Sequence, residues 1–139
     1  MPSKRTADVP KFSPSISEFC SMMEQAQKDY AWNYEQVNYL DRLTQDYLHQ
    51  LELRDLRYKE RAKIATQIAK CRQQRRACKD TVEILDPLIQ FLESEKGKTL
   101  MNLTREVLGK TRKVEEKMQN RIYVPRVMDI AEYLQKKPS

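Results

Sequence analysis

The sequence predicts an all-α protein, either an antiparallel bundle or an extended hairpin of about three long helices with a short C-terminal helix. Turn chemistry is scarce: 139 residues contain 2 Gly and 6 Pro, whereas a sheet-rich fold needs a turn every ~8–12 residues. Apolar residues recur at helical spacing over long stretches. Charged residues, 33% of the chain, are interleaved with them as on solvated helices. The expected organisation is a flexible N-terminal tail over 1–14, a single helical domain over 15–135 and a frayed terminus over 136–139.

The tail follows from Pro2, Pro10 and Pro14, which keep that segment out of a helix. Ser15 and Glu18 have capping-box spacing and open the first helix. From Ile16 a heptad frame selects Ile16, Phe19, Met23, Ala26, Tyr30, Asn33, Val37, Leu40, Thr44, Tyr47 and Leu51 as the inward face. Asn33 followed by Gln36 is a possible internal cap, so this is one continuous helix or two meeting near Trp32. The phase of the pattern changes over Glu52 to Asp55, and Asp55 is the expected cap of the second helix. That helix places Ile64, Ile68, Cys71, Cys78, Val82, Leu85, Ile89 and Leu92 inward, with Pro87 a kink or a break. Gly97 reads as the stop signal. A third helix is expected to turn Leu100, Leu103, Val107, Val114 and Met118 inward, with Gly109 weakening its middle. Asp129 and Glu132 cap a short last helix around Ile130 to Leu134.

Several function classes are disfavoured by what is missing. Cys20, Cys71 and Cys78 have no CxxC spacing, and a seven-residue separation puts the last two about 10 Å apart on a helix, too far for a disulfide. They are expected to be reduced core residues of a cytoplasmic chain. No run reaches the ~20 apolar residues that cross a bilayer. One histidine, His49, does not make a metal site, and neither a nucleophile-base pair nor a glycine-rich phosphate loop is present. The expectation is a protein without enzymatic activity, cofactor or metal.

Charge carries the strongest positive signal. Residues 1–55 hold 6 basic and 9 acidic side chains, and residues 56–139 hold 20 and 11, giving balances of −3 and +9. Residues 57–79 carry nine cations against the single acid Glu60. A helical wheel puts Arg61, Arg72, Arg76 and Lys79 on one flank of the second helix and Lys59, Lys63 and Lys70 on the other. Such a cluster suits phosphates or an acidic protein surface, or it pairs with the acidic first helix. Arg75 sits at an inward phase, so it either meets a carboxylate of the first helix or marks a face open to a ligand. Trp32 and Tyr39, i and i+7 apart and outside the apolar frame, suit an interface or a stacking surface.

The runs KFSPSISEFC and MMEQAQKDY, with TREVLGKTRKVEEKM and the PRV around Arg126, resemble small uncharacterised proteins of gut Clostridia and their phages or mobile elements. No motif of known chemistry lies in those runs, so no residue role carries over. What the resemblance implies is a setting in which small proteins often inhibit host defence, anti-CRISPR proteins among them. The leading expectation is a helical binding protein engaging a protein or ribonucleoprotein through Arg61, Arg72, Arg75, Arg76, Lys79, Trp32 and Tyr39. The alternatives are a direct DNA- or RNA-binding accessory protein and a homo-oligomeric coiled-coil assembly.

Overall fold

The computed structural model describes residues 3–4 and 8–129 and is all-α in its main elements. Helix α1 spans Ser13–Leu53, α2 spans Tyr58–Glu93 and α3 spans Glu95–Gln119. Besides the helices, β1 (Ser3–Lys4) pairs antiparallel with β2 (Ile122–Tyr123), Ser3 opposite Tyr123 and Lys4 opposite Ile122. The expected C-terminal helix around Ile130 to Leu134 and the terminus 136–139 lie outside the described residues. The chain divides into two compact units, Met1–Cys20 with Met101–Ser139, and Ser21–Leu100.

In the second unit, α1 and α2 form an antiparallel hairpin. The Tyr30 hydroxyl donates to Asp86 Oδ1 at 3.2 Å, and further along Arg75 Nε donates to Asp41 Oδ1 at 2.5 Å. Leu40, Leu56, Ile64, Cys71, Ile89 and Leu92 are buried, with Thr44 among them. Thr44 satisfies its hydroxyl on the Leu40 carbonyl one turn back, 2.7 Å away, so its burial leaves no donor unpaired. Apart from Leu56, which lies between the two helices, these buried residues are all members of the heptad frames. In the first unit the frame fails at Phe19, which is exposed while Cys20 beside it is buried.

Both open questions about helix continuity close. Helix α1 runs through Asn33, whose Nδ2 donates to the Asp29 carbonyl at 2.8 Å instead of capping a new start. Helix α2 runs through Pro87. Three boundary expectations are corrected. Asp55 does not cap α2, which starts at Tyr58 after Arg57 with no side-chain cap. Ser15 lies inside α1, which starts at Ser13. Gly97 is not a helix stop: α2 ends at Glu93, capped by Ser94 in extended backbone, and Gly97 is buried in the first turn of α3 with no positive φ.

In the first unit, the start of α1 is held by α3. Glu115, buried, accepts from the Phe12 and Ser13 amides through Oε2 at 2.7 and 3.0 Å, and the Val9 amide donates to Gln119 Oε1 at 3.0 Å. Amides at a helix start have no partner within their own helix, so a carboxylate from elsewhere takes the role of a cap. This interaction decides the rotation of α3. Met101 and Glu115 face inward, with Thr104, Leu108, Thr111 and Gln119 half-buried. The set expected inward, Leu100, Leu103, Val107, Val114 and Met118, is 41, 54, 50, 51 and 41% exposed. The helix is turned by about 90° from the phase its apolar residues suggest, close to one residue position.

Hydrogen bonds from Ser13, side chain first and backbone second, and from the Phe12 amide hold the Glu115 carboxyl below the ordinary 4.5. A depressed folded pKa contributes stability that is present above the unfolded value and lost as pH falls through the folded one. Thermal melts of Glu115→Gln against the parent protein are expected to show a lower Tm for the variant at pH 7. The gap begins to narrow below pH 4.5, where the unfolded carboxyl takes up its proton, and closes as pH falls through the lowered native value, whereas a gap constant from about pH 7 to about pH 3 would rule out the charged cap.

Candidate functional site

Once the seam of α2 faces α1, the positions of its cations are set. At 100° per residue, Arg61, Arg72, Arg76 and Lys79 line one flank over about 27 Å, and Lys59, Lys63 and Lys70 line the other. All seven are exposed, as is Arg57. The ninth, Arg75, is half-buried and bound to Asp41, so of the two readings of this residue the internal carboxylate is the one realised. With 26% of the Arg75 side chain and 46% of the Asp41 side chain exposed, the pair orients the arginine more than it stabilises the hairpin.

Among the described residues no other ion pair engages the nine cations of residues 57–79. The neutralisation expected from the acidic first helix is thus confined to one contact. Downstream on α2 the sign changes. Glu83 lies about 40° round the wheel from Lys79, one turn on, and Asp86 accepts from Tyr30 and, at 2.8 Å, from Gln90 Nε2. Partial burial first, then the hydrogen bond and charge of Asp86, raise the Tyr30 hydroxyl above the ordinary phenol value.

Beside the basic flank lies a shallow groove of about 390 Å³, in which Tyr34, Val37 and Asp41 of α1 meet Arg75, Lys79 and Val82 of α2. Its aromatic wall is Tyr34, whose ring centroid is 6.1 Å from that of Tyr30. Trp32 and Tyr39 are exposed as expected. They are two residues from Tyr34 and Asp41 respectively, about 200° round the helix, so they occupy the opposite flank of α1. Tyr39 borders a separate depression with Arg42, Leu43 and Asp46. The basic flank and the Trp32/Tyr39 pair are therefore two surfaces, and Tyr34 is the aromatic residue that sequence reasoning missed. Its spacing from Asp41, i and i+7, was the available signal.

His49 is exposed, and among the described residues no group of three or more His, Cys, Asp or Glu side chains is arranged to hold a metal. The three cysteines are free, with Cys20 and Cys71 buried. No helix among the described residues is long and apolar enough to cross a membrane. Fold and surface together define an all-α protein with a strongly basic helix face. Comparison of the chain with protein-family models, curated proteins and solved structures finds no match.

Proposed function

We propose that this chain is a non-enzymatic helical binding protein that engages a protein or ribonucleoprotein target through the flank of α2 carrying Arg61, Arg72, Arg76 and Lys79. The observation that carries the reading is that eight of the nine cations between residues 57 and 79 are exposed and have no internal counter-charge among the described residues. Holding like charges together on one helix costs self-repulsion, and an anionic partner removes it. Arg75, fixed on Asp41, and Tyr34 in the groove alongside add a rigid edge to that surface. An inhibitor of host defence, of the anti-CRISPR kind, is the most concrete form of this function, and support for that form comes from the resemblance alone.

The test is a triple substitution, Arg72→Ala, Arg76→Ala and Lys79→Ala, all at exposed positions. Captures of ribonucleoprotein from the native host are compared between parent and variant, with and without nuclease. The variant is expected to lose the captured complex at ~200 mM salt while keeping its helical signal. Equal capture by the two proteins would sink the proposal.

Direct nucleic-acid binding is a second reading, favoured by the same unpaired cations. It is separated by measuring the affinity of the purified protein for duplex DNA or RNA across salt. If these three side chains each neutralise a phosphate, the triple variant lowers the slope of log K against log salt by about 2.7 on duplex DNA. No retention of either nucleic acid at low salt removes this second reading and leaves the first.

A further inference from the structure

The rotation of α3 leaves an apolar row without a partner in the first unit. Leu103, Val107, Val114 and Met118 are each 41 to 54% exposed. They share one line along the helix, within about 60° of the wheel and about 22 Å long. Beside the second half of that row the segment ahead of α1 makes a wall. Val9, Pro10 and Phe12 face Val114 and Met118 across an open groove of about 360 Å³, and Phe12 is 68% exposed. Single exposed apolar residues are ordinary, but an aligned row with a walled groove is the form of a helix-binding site.

The charges at its edge say what fits. Glu106, Lys110, Lys113 and Lys117 lie at i, i+4, i+7 and i+11, a single row along the side of the apolar line away from the unit's interior. Lys110 Nζ reaches Glu106 Oε1 at 3.2 Å, which neutralises the one acid. Lys113 and Lys117 remain exposed, with no ion pair among the described residues. Like charges facing each other across a coiled-coil seam are unfavourable, so a second copy presenting the same row is a poor occupant. A bilayer is a poor one too: the apolar line is narrow and partly sunk behind Pro10 and Phe12, whereas an interfacial helix needs a broad open face.

From this we infer that the groove between residues 9–12 and α3 docks an amphipathic helix of a partner protein, with apolar residues at heptad spacing and carboxylates along the edge that meets Lys113 and Lys117. About four turns of such a helix span the row from Leu103 to Met118. This surface belongs to the first unit and is independent of the basic flank of α2.

The test uses the full chain and a labelled helical peptide of about 18 residues, with Leu at its a and d positions and Glu at e and g. Its partner probe carries Lys in place of Glu. The Glu peptide is expected to bind and the Lys peptide to bind at least about tenfold more weakly, a difference of about 1.4 kcal/mol. In Lys113→Glu with Lys117→Glu the preference reverses. Val107→Ser with Val114→Ser, at half-exposed positions that leave the buried face intact, loses both. Equal binding of the two peptides, or of neither, overturns the inference. So does light scattering that finds a dimer abolished by the serine pair, which would make a second copy the occupant, and so does retention on vesicles of anionic phospholipid that the serine pair abolishes.

Discussion

Gly97→Ala is expected to lower stability by about 3 kcal/mol or more, in a protein where the same exchange at Gly109 raises it. A Cβ built on Gly97 lies 1.9 Å from the Phe91 carbonyl oxygen and 2.8 Å from the Leu92 Cα. These atoms are backbone, so no side-chain rotation relieves the overlap. The end of α2 and the start of α3 must separate. Forced repacking of this kind costs about 1–3 kcal/mol where neighbours can yield, and more where they cannot. Gly109 lies mid-helix in α3 with nothing within 4 Å of its added Cβ, so alanine there removes only a glycine's entropy cost, worth about 1 kcal/mol in favour of the variant. Thermal unfolding followed by circular dichroism separates the two, by about 10 °C downward at position 97 and about 3 °C upward at 109. A Gly97→Ala protein that melts with the parent would disprove the close packing of this corner.

The second large effect lies five residues earlier, in the last turn of α2. Leu92 is 3% exposed and Ile84, on the same helix, is 77% exposed. Truncating a buried leucine to alanine removes its transfer free energy and leaves a cavity, about 2–5 kcal/mol in all. Among the described residues no large side chain is less than 2% exposed. The core is a seam and not an enclosed interior, so water reaches part of any void and the lower half of that range, about 2–3 kcal/mol, applies to Leu92→Ala. Ile84→Ala is expected to change stability by less than about 0.5 kcal/mol. Urea titration gives both values, and comparable losses at the two positions would show that the phase of α2 is misassigned.

Helices α1 and α2 were legible because each buries one continuous stripe against the other, and burial of apolar area is what a heptad frame records. Their continuity was not legible. Asn33 and Pro87 both have local chemistry that ends helices, and packing along the rest of α1 and α2 outweighs it. In the basic stretch the sequence concentrated nine cations between residues 57 and 79, and all but Arg75 are exposed. It offered two fates for Arg75, and only the position of Asp41 on the facing helix selects one. Tyr34 entered the groove unannounced, since which flank of α1 adjoins the basic flank of α2 depends on how the hairpin is paired.

What the sequence determined by itself is therefore the all-α class, the inward faces of the two long helices and the local concentration of positive charge. Each of these is a property of one helix and its period. What only the tertiary structure decided is the rotation of α3, the role of Gly97 and the split of the candidate surface into a basic edge and a separate aromatic one. The reason is the same in each case. Glu115 meets the unpaired amides of Phe12 and Ser13, and Gly97 meets the backbone at Phe91, across separations in sequence or angle that periodicity does not encode. Satisfying those groups outranked covering Leu103, Val107 and Val114, and the apolar row left in the open is the consequence.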